Sequence, residues 1–183
     1  MHTVETARLI LRPFVLDDLD ALAAMNRDPQ VMRFIGEGTP QSKEQTAARL
    51  NAIVEHSDRH GFGLWAAVEK TTGDLIGFCG LQFLDSTSEV EVGYRLAQRF
   101  WGMGLASEGA NASLRYGFFG LKLDRIVAVV HPANFASQRV VEKIGLTHEK
   151  DARYYGVDVK YYAIAREAYE PDGSVYLCKS QEV

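Results

Sequence analysis

Residues 92–108 read VGYRLAQRFWGMGLASE, and this stretch decides the predicted fold. A segment with strand-like alternation runs into Gly102 and Gly104, and a helical pattern follows at once. Glycines at a strand-to-helix turn let bare backbone approach a ligand and adopt conformations closed to other residues. The unpaired amides at the helix start then face the ligand, and the helix dipole favours an anion. The stretch therefore predicts a site that holds a pyrophosphate on backbone amides.

Two familiar phosphate motifs do not fit this turn. A P-loop needs Lys followed by Ser or Thr after its last glycine, and Leu105 and Ala106 stand there instead. A dinucleotide-binding turn needs a third glycine where this chain has Ser107. Taken alone, the segment also fits an ordinary glycine turn that binds nothing.

The regions on both sides of this turn predict one α/β domain. Upstream we expect a strand at 8–14, a helix capped by Asp17 or Asp18, a second helix from the capping box at Ser42 to Gly61, and strands at 62–69, 75–84 and 89–96. Downstream we expect a helix at 106–121, a buried strand at 125–130, a helix capped by Asn134 and closed by Gly145, and strands at 150–155 and 157–168 around Gly156. The predicted domain covers residues 1–170, and a polar tail covers residues 171–183.

Composition excludes several classes of protein. The 183 residues are 46% hydrophobic and 24% charged, which is typical of a soluble globular domain. A net charge of -4 argues against a general nucleic-acid binder. No secretion signal or membrane-length apolar run is recognised, and Cys79 and Cys178 form no disulfide framework. We therefore expect a cytoplasmic protein without a membrane partner.

Several motifs, in the same order along the chain, resemble the GNAT N-acetyltransferase superfamily. Residues 99–104, RFWGMG, match its acetyl-CoA signature Arg/Gln-x-x-Gly-x-Gly/Ala, and residues 131–145, HPANFASQRVVEKIG, match its second cofactor segment. Residues 6–13, TARLILRP, and 162–167, YAIARE, resemble the Rim-type branch of ribosomal-protein N-terminal acetyltransferases. The resemblance covers residues 6–168. It implies a GNAT-type mixed, mostly antiparallel central sheet with splayed strands, flanked by helices.

The same resemblance implies where acetyl-CoA binds. The cofactor would lie between strands 89–96 and 125–130, with its pantetheine near the backbone of Leu96 and a backbone amide of the first strand polarising the thioester carbonyl. Asn134 would hold the pantetheine arm as well as cap its helix, and Arg99 would add charge near the phosphates, unless it is a solvated surface residue. The pyrophosphate would bind the amides of Gly102, Met103, Gly104, Leu105 and Ala106.

Direct transfer to an amine needs a base, because only the neutral amine attacks the thioester. Glu91 is the first candidate and Glu89 the second, and strand alternation places both carboxylates on one face. The alternative is that both are ordinary polar residues of a solvated face.

The departing thiolate benefits from a proton donor, for which Ser137 is the candidate. It stands three residues after the Asn134 cap, in the first turn of the helix, although serine is also common there for backbone reasons. Alternative donors are Tyr154, Tyr155, Tyr161 and Tyr162.

Several other residues could suggest a functional site, but they are predicted to have structural roles. His56 and His60 have metal-ligand spacing, but no further ligands accompany them, so we predict no metal site. Cys79 lies in an apolar strand and is predicted to be inert core. Trp65 and Trp101 are predicted to be packing residues.

The sequence thus predicts an acetyl-CoA-dependent N-acetyltransferase that acts on a primary amine. The branch resemblance favours the N-terminal α-amino group of a protein or peptide. Small amines, such as polyamines, amino acids or drugs, are the alternative acceptors. A non-catalytic acetyl-CoA-binding regulatory module is the alternative of a different class. An exposed strand edge would permit a homodimer.

Overall fold

One mixed sheet organises the protein in a computed structural model, which describes residues 2–171 and 177–179. The described strands are β1 (Thr3–Glu5), β2 (Leu9–Arg12), β3 (Leu64–Glu69), β4 (Leu75–Phe83), β5 (Val90–Leu96), β6 (Arg125–Val130), β7 (Thr147–Tyr154), β8 (Val157–Ala165) and β9 (Leu177–Lys179). Their order across the sheet is β7-β8-β6-β5-β4-β3-β2-β1-β9. Neighbouring strands are antiparallel except β5 and β6, which run parallel. The predicted GNAT-type mixed sheet is confirmed.

Helices cover both faces of this sheet. The described helices are α1 (Leu19–Asn26), α2 (Pro29–Met32), α3 (Lys43–His60), α4 (Leu105–Arg115) and α5 (Phe135–Lys143). Because side chains alternate along a strand, neighbouring residues of β3 contribute to different cores. Trp65 packs with α4 and α5, whereas Leu64 and Ala66 pack with α1 and α3. The two faces of the sheet are therefore available for two different tasks.

The predicted local signals are largely present. Ser42 and Gln45 form the expected capping box at the start of α3, and Gly61 ends that helix with a φ of 75°. The Asn134 side chain accepts a hydrogen bond from the amide of Ser137 and so caps α5. Gly156 forms the turn between β7 and β8 with a φ of 76°. The sequence predicted these caps and turns correctly because each of them depends on contacts within a few residues.

Long-range contacts changed some details. Of the two predicted caps, Asp17 and Asp18, it is Asp18 that stands at the N-cap position of α1, but its side chain makes no capping hydrogen bond. Its carboxylate instead receives two hydrogen bonds from Arg12, at 2.7 and 2.8 Å. The helix predicted at 106–121 is α-helical only to Arg115 and continues as a π-helical turn over Tyr116–Gly120. Strand β1, which the sequence did not predict, pairs with β2.

The predicted tail of residues 171–183 lies mostly outside the described residues. Within it, residues 177–179 form β9 and pair with β1. Cys178 is part of that strand. The described helices include none that is both long and apolar enough to cross a bilayer.

The contact between β5 and β6 creates an opening in the sheet. In the described chain, these strands share one registered pair, Glu91 with Val127, although β5 has seven residues and β6 has six. Beyond this pair, towards Leu96, β5 continues alongside β4 but not alongside β6. The predicted splay is therefore present, and it leaves one edge of β5 facing a cleft.

Candidate active site

The glycine turn has the backbone geometry of an anion cradle. Gly102 and Gly104 have φ values of 74° and 79°, in the left-handed region that favours glycine. Gly104 is the N-cap of α4, so the first amides of the helix, including those of Leu105 and Ala106, lack intrahelical partners. Met103 is 53% exposed, which leaves the turn accessible. The residues present fit a bound pyrophosphate.

Arg8 and Glu108 brace this cradle from behind. Glu108, in the first turn of α4, accepts hydrogen bonds from the Arg8 backbone amide at 2.8 Å and the Arg8 Nε at 2.7 Å. It also accepts from the Thr6 hydroxyl at 2.6 Å. Arg8 in turn donates to the Met103 carbonyl at 2.8 Å, which ties β2 to the turn itself. These hydrogen bonds lower the pKa of Glu108 even though burial alone would raise it.

The backbone of β5 presents polar groups to the cleft. The Ala97 amide donates to Ile76 on the β4 side, so by alternation the backbone groups of Tyr94 and Leu96 point the other way, towards β6. Trp101 Nε1 donates to the Leu96 carbonyl at 2.7 Å. Trp101 is 48% exposed, so a packing role for it stays a prediction, and its indole N–H binds the backbone of β5.

Arg99 lies on the rim of the same region. Its guanidinium is 3.5 Å from the Asp74 carboxylate and 4.9 Å from the centre of the Phe100 ring. The side chain is largely exposed. A role near the phosphates remains a prediction for this residue.

Ser137 meets Tyr94 across the cleft. The two hydroxyl oxygens are 2.8 Å apart, and the Tyr94 hydroxyl also donates to the Ser137 carbonyl at 3.2 Å. The Asn134 cap fixes the amide of Ser137 in the same turn. Burial raises the pKa of Tyr94, so its hydroxyl stays protonated at neutral pH. A pair of hydroxyl groups thus joins β5 to the start of α5.

Glu91 lies on the opposite face of β5 from Tyr94, about 10 Å away along the strand by the rise of a β-strand. It is 5% exposed, and its Oε1 accepts hydrogen bonds from Gln82 Nε2 at 2.6 Å and from the Tyr155 hydroxyl. Burial raises the pKa of Glu91, and these two hydrogen bonds partly oppose the increase. The structure therefore contradicts the alternative that Glu91 is an ordinary solvated residue.

Glu89 has a different environment. It precedes β5, and its carboxylate accepts a hydrogen bond from the Tyr161 hydroxyl. Burial and this contact raise the pKa of Tyr161 to about 12. The neighbouring Tyr154 ring stacks on Tyr161, with 6.0 Å between centroids, and the Tyr162 hydroxyl lies 3.5 Å from Gln138. Glu89 thus binds Tyr161 and is not part of the hydrogen bonds that Gln82 and Tyr155 make to Glu91.

A cavity of about 360 Å³ adjoins Glu91 on this face of the sheet. Gln82 and Tyr155, which both bind the Glu91 carboxylate, are part of its lining. Arg49 of α3 also lines it and donates to Gln82 Oε1 at 2.9 Å. The cavity is therefore one side chain away from the buried carboxylate.

Sequence reasoning missed four contributors to these sites: Tyr94, Gln82, Arg8 and the specific role of Tyr155. Tyr94 occupies an apolar face of β5, and a tyrosine in such a position needs a partner for its hydroxyl, which was the available signal. Gln82 and Tyr155 are 9 and 64 residues away from Glu91, and nothing in the local pattern of either indicates that contact.

His56 and His60 form part of an aromatic cluster. Their ring centroids are 4.7 Å apart, and both pack against Phe83. Within residues 2–171 and 177–179, no three potential metal-binding side chains come together. The buried Cys79 belongs to the core as predicted, and burial raises the pKa of its thiol to about 12.

Comparisons with known proteins agree with this geometry. The family model described as an acetyltransferase (GNAT) domain matches residues 8–147. The chain is 30% identical to the uncharacterized N-acetyltransferase p20 of Bacillus licheniformis over 176 residues, covering 92% of this chain and 99% of that protein.

Solved structures show the same fold. The structure of a GNAT-family acetyltransferase from Bacillus anthracis superposes with a TM-score of 0.78 at 29% identity, covering 90% of this chain and 99% of that one. RimL, a ribosomal L7/L12 α-N-protein acetyltransferase solved in complex with coenzyme A, superposes with a TM-score of 0.75 at 19% identity, again covering 90% and 99%. At that identity, the likeness to RimL concerns the fold alone.

Proposed function

Because the chain belongs to the GNAT family of acetyl-CoA-dependent N-acetyltransferases, we propose that it acetylates the α-amino group of a protein or peptide, with Glu91 as the base. The observation that carries the proposal is the position of a buried carboxylate where β5 and β6 part. Glu91 belongs to the one registered pair, and the open edge of β5 begins beside it. A base in this position can receive a proton from an amine that approaches the cleft.

Acetyl-CoA supplies the acetyl group as an activated thioester. We assign its pyrophosphate to the amides of the cradle, from Gly102 to Ala106, and its pantetheine to the edge of β5 near Leu96. Of the two cleft-facing amides, that of Tyr94 lies further along the open edge from the cradle, which suits it to the thioester carbonyl. A donor fixed there stabilises the oxyanion as it forms.

The proposed reaction is a direct attack by the amine nitrogen on the thioester carbon. Glu91 takes one proton from the ammonium group through water, and the resulting neutral amine forms the new C–N bond. Collapse of the tetrahedral species breaks the C–S bond, and its nitrogen loses a second proton to solvent. Ser137, supported by the Tyr94 hydroxyl, is the proposed donor to the departing thiolate. After this donation Ser137 regains a proton from solvent and Glu91 releases the one it accepted, so both groups return to their starting forms.

The acceptor would enter through the cavity beside Glu91. It lies on the face of β5 opposite the Tyr94–Ser137 pair, so acceptor and cofactor would approach the reacting atoms from different sides. Its volume, about 360 Å³, lies at the lower end of the range for small-molecule sites and would hold the first residues of a peptide. The motifs at residues 6–13 and 162–167 favour an α-amino group. The same volume favours a small amine as the second candidate.

The test is release of coenzyme A thiol in the presence of matched acceptors. One peptide carries a free α-amino group and no lysine, and its partner has a blocked terminus and one lysine. Spermidine and free amino acids form the third set. Turnover with the first peptide alone, with the acetyl group located on its terminus by mass spectrometry, supports the proposal. Turnover confined to the small amines would replace it with the second candidate.

A further inference from the structure

Two segments distant in sequence are joined beside the cavity by a reciprocal pair of hydrogen bonds, here called the Asp85–Tyr155 clasp. The Tyr155 amide donates to Asp85 Oδ2 at 2.9 Å, and the Asp85 amide donates to the Tyr155 hydroxyl oxygen at 2.9 Å. Both residues have positive φ values, 47° and 52°, which is uncommon outside glycine. The clasp therefore fixes the turn between β7 and β8 against the loop between β4 and β5.

The clasp also orients the proton of the Tyr155 hydroxyl. Its oxygen already accepts from the Asp85 amide, and the same hydroxyl contacts Glu91 Oε1. A phenol has one proton to donate, and a carboxylate is its natural acceptor. The hydroxyl is thus set to donate to the ionised form of Glu91.

Charges on every side of Glu91 bear on its ionisation. Burial raises its pKa most, and the nearby Asp85 carboxylate acts in the same direction. The Tyr155 and Gln82 hydrogen bonds lower it, and the Arg49 guanidinium on α3 lowers it further. Of the two side chains that donate hydrogen bonds to the Glu91 carboxylate, that of Tyr155 is the one whose position depends on a contact between two loops.

We propose that Tyr155 is a positioning residue, which the Asp85–Tyr155 clasp holds against Glu91 so that its hydroxyl donates to the ionised carboxylate and favours that form. The proposal rests on the assignment of Glu91 as the base. A hydrogen bond to the charged form of an acid favours that form. Loss of the Tyr155 hydroxyl would therefore let burial raise the pKa of Glu91 further. Tyr155 is 44% exposed and lines the cavity. A residue of the proposed acceptor pocket would thus influence the ionisation of Glu91.

The first experiment measures kcat/KM against pH for the full chain and for Tyr155→Phe. The acidic limb of the profile should move to higher pH by about one unit, which means a loss of about tenfold below the limb and less than twofold above it. Tyr154→Phe is the matched control, since it removes a neighbouring phenol hydroxyl in the same hairpin. Its profile should coincide with that of the parent protein.

A second measurement does not depend on turnover. The side-chain carboxyl carbon of Glu91 is titrated by NMR in protein labelled at glutamate, and Glu91→Gln identifies the signal. Its midpoint should rise in Tyr155→Phe. An unchanged midpoint would overturn the proposal, whether or not Glu91 is the base. If the midpoint rises but Glu91→Gln keeps the acidic limb, the base assignment fails instead.

Variants at Asp85 test the clasp itself. Asp85→Asn keeps both a side-chain oxygen acceptor and tolerance of positive φ, but it removes the carboxylate charge that raises the pKa of Glu91, so its acidic limb should lie at or below the pH of the parent limb. Asp85→Gly removes the same charge and keeps the backbone freedom, but it also removes the acceptor of the Tyr155 amide, so its acidic limb should lie at higher pH than that of Asp85→Asn. Equal profiles for the two Asp85 variants would contradict a role for the clasp.

Discussion

The two sides of β5 are built by different physical means, and we have assigned one of them to acetyl-CoA and the other to the base. On the cofactor side, the cradle consists of backbone amides and left-handed glycines, in a turn that solvent reaches freely. On the Glu91 side, a 5% exposed carboxylate is held by side chains from β4 and from the β7–β8 turn. A backbone site tolerates many side chains but few changes of conformation. A buried charge depends instead on the side chains that hydrogen-bond to it, because loss of one partner leaves the charge less compensated.

Among the variants that test this comparison, Glu91→Gln should have the largest effect on activity. Loss of a general base typically lowers kcat by about 10²- to 10⁴-fold, while the affinity for acetyl-CoA should stay within about twofold. Since the base acts only when ionised and burial raises its pKa, the parent kcat/KM should rise with pH through a limb above the usual carboxyl range. That limb should vanish in the variant.

Glu89→Gln is the matched control, because Glu89 binds Tyr161 outside the Glu91 network. It should retain most of the activity and the acidic limb. A larger loss in Glu89→Gln than in Glu91→Gln would exchange the roles of the two carboxylates.

Gly104→Val tests the cofactor side. Valine at a φ of 79° is strained by at least about 1–2 kcal/mol, and relief of this backbone strain would change the shape of the cradle; the added Cβ itself makes only an ordinary 3.5 Å contact with the Arg8 guanidinium. Calorimetric titration should show affinity for coenzyme A weakened by about 100-fold, in keeping with the loss of several backbone contacts.

Gly61→Val is the matched control, because it places a valine at a similar φ of 75° outside the cradle. No atom lies within 4 Å of the added Cβ. It should lower stability without weakening coenzyme A binding. If the two glycine variants bind equally well while folded, the cradle assignment is wrong.

Ser137→Ala should have an intermediate effect on activity, because it removes the proposed proton donor to the departing thiolate. We expect kcat to fall by about tenfold, below the usual range for general acid catalysis because the Tyr94 hydroxyl remains. Thioesters with better leaving thiols should be affected less. A rate loss that is independent of the leaving thiol would indicate that Ser137 acts through packing.

Glu108→Gln should have the smallest effect. It weakens the bond to Arg8, whose side chain is 47% exposed, so the change in unfolding free energy should be about 1 kcal/mol or less. The affinity for coenzyme A should fall by a few fold, since Arg8 also holds the Met103 carbonyl of the cradle. Thermal unfolding with and without coenzyme A separates the two contributions.

The sequence predicted the two sides unequally, for a physical reason. Gly102, Gly104 and Asn134 act within a few residues of their own backbone, so their spacing carries the information. Glu91 was predicted by alternation along β5, but its burial depends on partners in other elements. The Tyr94–Ser137 contact spans 43 residues and the Tyr155–Glu91 contact 64, and such pairings arise only when the sheet is assembled.

Asp18 illustrates the same limit within the fold. An aspartate before an apolar helical pattern is a good capping signal, but Arg12 offers its carboxylate two short hydrogen bonds. A nearby guanidinium competes well with backbone amides for a carboxylate. Local pattern cannot reveal that competitor, because it reaches Asp18 from the end of a neighbouring strand.

The single registered pair between β5 and β6 has a consequence for the mechanics of the molecule. Strands β1–β5 with β9 form one half-sheet and β6–β8 form the other, and backbone bonding across the seam between them is sparse, so each should open to hydrogen exchange as a separate unit. A ligand seated in the seam would join the halves with hydrogen bonds that the protein itself lacks there. Coenzyme A at 100 times its Kd should add about 2.7 kcal/mol of stability, and the slowing of exchange should be greatest at the seam.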